Sequence, residues 1–204
     1  MWYNAKMNET SRSYIFVGRS GSGKGTQINL LKDFISEKYN KKIYHIEMGD
    51  ILRKFFDKEG FVQKMSQEST NKHGKLQPDF LVNSLLVNRV IEVTDEESML
   101  LFDGYPRDNF QLETLKDLLT YLGYNNSILI NLNISRQSAK DRLLKRGRVD
   151  DHEVAINNRL DAYDDLVIPM IERAKKDPFF TYIEIDGEKS VEDIYKNLIE
   201  ALGL

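Results

Sequence analysis

The chain contains no cysteine, which excludes disulfides and any zinc site built on thiolates. No apolar run approaches the length of a membrane span, and the first residues, Met1 to Ser11, are polar, without the apolar stretch of a signal peptide. A charge excess is missing too. The formal net charge is −3, too small for a global basic field aimed at nucleic acid or at an anionic membrane. There is no internal repeat and no low-complexity linker. What remains is 41% hydrophobic and 30% charged residues over 204 positions, enough for one core under a soluble surface. The expectation is a cytoplasmic protein of a single domain, residues 1–204, with residues 1–11 as a flexible lead-in.

Strand and helix patterns alternate from end to end. Strands are expected at Tyr14–Val17, Ile43–Glu47, Met99–Asp103, Ser127–Leu132 and Tyr182–Ile185. Helical spacing covers Lys24–Tyr39, Ile51–Phe56, Phe61–Lys72, Asp79–Val93, Asn109–Leu122, Arg136–Lys145, His152–Lys176 and Val191–Leu202. Such alternation predicts an α/β fold, a parallel sheet with helices on both faces. Met99-Leu100-Leu101-Phe102 is apolar throughout, as a strand buried on both faces should be. About fifty residues separate the second strand from the third, more than one crossover requires, so an inserted helical lobe is expected there. Pro169 falls inside a long helical pattern and predicts a break near Ile168.

The run Gly18-Arg19-Ser20-Gly21-Ser22-Gly23-Lys24-Gly25-Thr26 follows a strand pattern and opens a helical one. In that setting glycines let successive N–H groups turn inward at a helix N-terminus and cradle phosphates. Lys24 adds a positive charge beside the β and γ phosphates of a nucleoside triphosphate, and the Thr26 hydroxyl lies near a metal. NTPases, GTPases and kinases all remain open at this point. A second signature, Phe102-Asp103-Gly104-Tyr105-Pro106-Arg107, closes the buried third strand. There a carboxylate holds magnesium through its water shell, or caps a turn, and Arg107 forks two donors onto a phosphate.

Four motifs together resemble the nucleoside monophosphate kinase family, most closely adenylate kinases with a short lid. They are the Gly18–Thr26 loop; Gly49-Asp50-Ile51-Leu52-Arg53; Asp103-Gly104-Tyr105-Pro106-Arg107 with Gln111; and Arg142 to Arg146 followed by Arg148-Val149-Asp150-Asp151. The resemblance spans roughly Tyr14 to Leu202. It implies a P-loop three-layer fold on a five-stranded parallel sheet, with a monophosphate-binding helical lobe at 48–93 and a lid at 145–152. It further implies Mg²⁺·ATP as phosphoryl donor, a nucleoside monophosphate as acceptor, AMP before UMP or CMP, and a monomer with no nucleic-acid or membrane partner. Outside this reaction, a nucleotide-binding regulator without transfer activity and a plain P-loop ATPase are the alternatives.

By the same resemblance, Gly21, Ser22, Gly23, Lys24, Gly25, Thr26, Arg142, Arg148 and Glu188 bind ATP, its base lying between Arg142 and the Asp186–Lys189 loop. Met48, Gly49, Arg53, Gln77, Gly104, Arg107, Gln111 and Arg159 bind the monophosphate. Lys24, Arg107, Arg146, Arg148 and Arg159 act in transfer, and Thr26 and Asp103 hold the metal through water. The arginines make sense physically, because two polyanions must meet in one cleft. Asp150 and Asp151 either pair with lid arginines or cap the helix after His152.

Some positions depart from the family pattern. Met48 stands where a threonine is usual, Gln77 where a small apolar residue is common, and Gly147 alone separates Arg146 from Arg148. His45, His73 and His152 lack metal-ligand spacing and read as surface or cap residues. Arg89, Arg136 and Arg173 match no motif and read as surface. Phe55, Phe56 and Phe61 read as the core of the small lobe.

Overall fold

The computed structural model describes residues 13–39, 42–96 and 98–204, so the lead-in expected at 1–11 lies outside the described residues. The strands are β1 (Ser13–Val17), β2 (Ile43–Glu47), β3 (Met99–Asp103), β4 (Ser127–Asn133) and β5 (Phe180–Asp186). The helices are α1 (Lys24–Tyr39), α2 (Met48–Phe56), α3 (Phe61–His73), α4 (Asp79–Val93), α5 (Asn109–Tyr121), α6 (Arg136–Arg146), α7 (Glu153–Ala162), α8 (Ile168–Ala174) and α9 (Val191–Leu202). The strands form one parallel sheet in the order β2-β3-β1-β4-β5.

Side chains alternate across each strand, and the core divides accordingly. Ile15, Val17, Leu100, Phe102 and Leu129 face α4, α5 and α8, whereas Tyr14, Phe16, Leu101 and Ile130 face α1 and α9. Helices α1 and α5 thus leave the adjacent strands β1 and β3 toward opposite faces. A crevice opens where such connections diverge, at the carboxyl ends of the strands. The register sets Phe16 and Glu47 opposite Asp103 at that edge. A third cluster, Ile134, Ala139, Leu143, Ile156 and Leu160, packs α6 against α7 as one hairpin.

Two expectations are corrected, and the interruption expected near Ile168 takes a definite form. First, α2 begins at Met48 rather than Ile51, directly after β2. Met48 is buried there, and Asp50 in the first turn favours the positive helix end. Second, the break before Pro169 is a π-turn at Tyr163–Val167. Pro169 offers no N–H to the preceding turn, and the Ile168 N–H reaches back to the Tyr163 carbonyl instead. Third, Phe61 is 81% exposed at the start of α3 and is no core residue. Its expected companions Phe55 and Phe56 pack edge to face, with ring centroids 6.2 Å apart.

Candidate active site

The loop between β1 and α1 forms the floor of the cleft. Gly18 has φ +144°, and a Cβ on it would stand 2.5 Å from the Leu132 carbonyl oxygen, so only glycine fits. Lys24, partly buried, donates to the carbonyls of Gly18 at 2.9 Å and Arg19 at 3.1 Å and lies 3.4 Å from the Ser22 hydroxyl. Burial pushes its ammonium below the ordinary value; Asp103 opposes that shift, while Arg107 and Arg146 add to it. Ser22 is buried, a Cβ on Gly23 would meet open space, and Thr26 is exposed.

At the end of β3, the Asp103 carboxylate is 3.8 Å from where a Gly25 Cβ would sit, which places it against the loop. His45, on the neighbouring strand β2, brings Nε2 to 3.9 Å from Asp103 Oδ2. That buried nitrogen has no hydrogen-bond partner. Arg107 folds back so that Nε donates to the Gly104 carbonyl at 2.9 Å. Its charge is disfavoured by burial, eased by Asp103, and disfavoured again by Arg159. Gln111 lies inside rather than on a helix surface. Its Oε1 accepts from the Arg107 N–H and its Nε2 donates to Asp79, with the residue 2% exposed. Tyr105 braces the same corner, its hydroxyl donating to Asn83 at 2.9 Å.

The α6–α7 hairpin contributes the next cations. Arg146 donates twice to Asp151, at 2.8 and 2.9 Å, and the Arg148 N–H donates to the same carboxylate. Arg159 reaches Asp151 at 2.8 Å and Asp150 at 2.9 Å. Burial alone would raise the Asp151 pKa, but the hydrogen bonds from Arg146, Arg159 and the Arg148 amide outweigh it and hold the carboxyl at about 2. Asp150 and Asp151 therefore pair with arginines. The helix cap is His152, whose Nδ1 accepts the Ala155 N–H. Lys24, Arg107 and Arg159 line one cleft with Gly18, Ser20 and Gly104, about 470 Å³ including its open mouth.

Other expected site residues lie around this centre. Arg53 is half exposed and donates to Glu47 at 2.8 Å, directly above Gly49. Met48 is buried beside Gly104. Gln77 is buried, its amide donating to Ser66 and Thr70, so its side chain pins the loop after α3. Arg142 donates to the Gly187 carbonyl at 3.0 Å. The Glu188 carboxylate accepts the Ser135 N–H at 2.7 Å and so helps cap α6. Arg148 has an exposed side chain at the turn and makes no ion pair among the described residues.

Sequence reasoning missed several neighbours of the site. His45 is not a surface residue: it pairs with Leu101 on β3, two positions before Asp103, and its ring reaches along the sheet to that carboxylate. Arg136 is more than surface: it holds Asp161 and Asp164. Arg19, inside the phosphate loop, pairs with Asp164 at a separation of 145 positions, and no local pattern signals that. Arg89 and Arg173 are exposed, paired with Glu92 and Glu113.

A magnesium ion fits this donor set in one way only. Asp103 and Thr26 supply one carboxylate and one hydroxyl, and among the described residues no group of three or more histidines or carboxylates could cage an ion. That suits a hydrated ion held mainly by phosphate oxygens.

The adenylate kinase family model matches residues 16–178 of this chain. The chain is 35% identical over 189 residues to the adenylate kinase of Azobacteroides pseudotrichonymphae, covering 91% of this chain and 94% of that one. It is 35% identical over 190 residues to adenylate kinase 1 of a Nostoc species, covering 93% and 97%. With the adenylate kinase of Prochlorococcus marinus it shares 32% over 192 residues, covering 94% and 99%.

Proposed function

This chain belongs to the adenylate kinase family, and we propose that its cleft carries out the reversible transfer of a phosphoryl group from Mg·ATP to AMP, yielding two ADP. The observation that supports this assignment of roles is the convergence of Lys24, Arg107 and Arg159, from three separate elements, on a single cleft at the strand ends.

The donor phosphates rest on the N–H groups of Gly21 to Thr26, and Lys24 turns from the Gly18 and Arg19 carbonyls to the β and γ phosphates. Arg142 and Arg148 serve the triphosphate, with the donor base beside Gly187 and Glu188. Arg53 and Arg107 hold the acceptor phosphate, and Arg146 and Arg159 face the group in transit. The attacking oxygen is already ionised, so alignment and fixed positive charge do the work and no general base is needed. Asp103 and Thr26 would hold a magnesium ion, which when bound would supply charge that neutralises the donor phosphates.

Residues 48–93 form the acceptor lobe. Met48, Gly49, Gly104 and the Gln77 backbone carbonyl line the base pocket. Gln111, with one N–H and one lone pair of its amide uncommitted, is suited to an adenine edge. Residues 145–152 form the lid, and closing it brings the exposed Arg148 inward and keeps water out. A cysteine-free chain gains nothing from an oxidising compartment, and every cation invoked comes from this chain. The proposal therefore takes the enzyme as a cytoplasmic monomer.

Incubating the protein with Mg·ATP and each nucleoside monophosphate in turn, then identifying the diphosphates, tests the assignment. ADP formation that depends on AMP is expected. Phosphate release without any acceptor would mark an ATPase. Faster UDP or CDP formation would mark a pyrimidine kinase, and ATP binding without turnover a regulator.

A further inference from the structure

Arg19 sits in the phosphate loop at a position the loop pattern leaves unspecified, yet its side chain is only 15% exposed. Nη1 donates to the Ile134 carbonyl at 2.9 Å and Nη2 to Asp164 at 2.7 Å, while the guanidinium stands 4.6 Å from the centroid of the Tyr163 ring. The other Asp164 oxygen accepts from Arg136 at 2.9 Å, and Arg136 also donates to Asp161 at 2.6 Å. Two guanidinium groups and two carboxylates thereby join the phosphate loop, the turn from β4 into α6, and the end of α7 with its π-turn. The Arg19 backbone is occupied as well. Its carbonyl accepts from Lys24 Nζ at 3.1 Å and from the Ser22 N–H at 3.0 Å.

One residue therefore holds the donor-side lysine through its carbonyl and the helix of Arg159 through its side chain. Arg159 lies on the same helical path as Asp164, so any slip of the π-turn against the loop is also a slip of Arg159 against Lys24. The planar guanidinium fixes its N–H donors in set directions on separate nitrogens, whereas an ammonium carries rotatable donors on one atom at the end of a flexible stem. Tyr163 and Val167, which face the cleft from the π-turn, are carried along by the same tie.

We propose that Arg19 is a positioning residue for phosphoryl transfer: with Asp164 it locks the phosphate loop to the helix bearing Arg159 and sets the gap between the donor cradle and that arginine. This rests on the roles assigned to Lys24 and Arg159 above. The role assigned to Arg19 needs no phosphate contact, since its Nη donors are directed to Ile134 and Asp164.

The test compares Arg19→Ala, Asp164→Asn, the double variant and Arg19→Lys with the parent. The measurements are kcat and KM for ATP and AMP, calorimetric ATP affinity, and melting temperature. Turnover is normalised to the calorimetric count of binding-competent sites, which removes any loss of folded protein. A misplacement of about 1 Å is able to cost up to about 10²-fold. Each single variant is accordingly expected to lose about fivefold or more in kcat, with both KM values and the ATP dissociation constant within about threefold of the parent. The double variant should be close to the slower single, because the tie both substitutions break is the Arg19–Asp164 pair. Arg19→Lys, which keeps the charge and one contact, should fall between. A smaller loss of kcat in Arg19→Ala, multiplicative losses in the double variant, or a weakened ATP affinity in Arg19→Ala that Asp164→Asn does not share would each overturn the proposal. A parent that forms no ADP from ATP and AMP would instead sink the functional assignment, which separates the two failures.

Discussion

Asp151 is the residue on which Arg146 and Arg159 converge, and its chemistry is measurable. Its carboxyl titrates at about 2 in the folded chain against an ordinary 3.8. The ionised form is thus favoured by folding, by about 2 kcal/mol. That stabilisation is complete above about pH 4 and is lost as the pH falls through about 2. Asp151→Asn should lower stability at pH 6, and the gap between parent and variant should close progressively from pH 4 to pH 2. Urea denaturation across that range measures it, and a gap independent of pH would show that Asp151 is not ionised against Arg146 and Arg159. Lys24→Met should keep the fold, because the lysine is tied only to loop atoms, yet lose about 10² to 10³ in kcat as a missing fixed charge does. An initial-rate assay beside a melting curve separates the two effects. Lys24, Asp103, Arg107 and Arg146 stood out in the sequence because each holds a fixed offset in a short motif, and Arg159 only through the family resemblance. The structure brings Lys24, Arg107 and Arg159 to one cleft, sets Asp103 against the phosphate loop, and pairs Arg146 with Asp151. His45 and the Arg19–Asp164 pair were not legible. Their partners are set by strand register and by a contact 145 positions away, which no local spacing encodes.

At the scale of elements, α3 is seated on α7, one arm of the α6–α7 hairpin. His152 Nδ1 accepts the Ala155 N–H, so Nε2 carries the ring proton and donates to the Asn71 carbonyl at 2.9 Å. Asn158 donates to the His73 carbonyl at 2.7 Å. Gly74 closes α3 with φ +60°, and a Cβ there would stand 2.5 Å from the Ala155 carbonyl oxygen. Gly74→Ala therefore meets both backbone strain and a clash with a backbone that cannot yield, a cost on the order of 1–3 kcal/mol. At about 2–4 °C per kcal/mol for a chain of this size, the melting temperature should fall by several degrees. Gly203→Ala, at φ +65° with open space around it, isolates the strain alone and should cost clearly less. Equal losses in the two variants would mean that α3 is not seated on α7. Apolar periodicity placed α1, β2, β3, α4 and α9 at the boundaries observed, since each buries a regular face. It also implied one long helix after His152. Pro169 announces an interruption, but whether the helix kinks or widens into a π-turn depends on how Tyr163 and Val167 pack in the core.

For the molecule as a whole, a net charge of −3 conceals a cleft into which at least three cations face. Two polyanions must enter it, so association should depend on salt even though the protein is acidic overall. Raising monovalent salt from about 0.05 to 0.5 M shortens the screening length from about 14 to about 4 Å. Screening acts on exposed charges far more than on buried ones. Arg148 is exposed and Arg53 half exposed, whereas Arg159 retains only 11% of its side-chain surface. The KM values for ATP and AMP should therefore rise several-fold over that range, while kcat, governed by cations enclosed around the reacting groups, should stay within about twofold. Removing one exposed arginine should flatten one slope only. Arg148→Ala should reduce the salt dependence of the KM for ATP, and Arg53→Ala that of the KM for AMP. If salt instead depressed kcat at unchanged KM, the exposed arginines would not be the groups that draw the nucleotides in, and the division between attracting and transferring cations would fail.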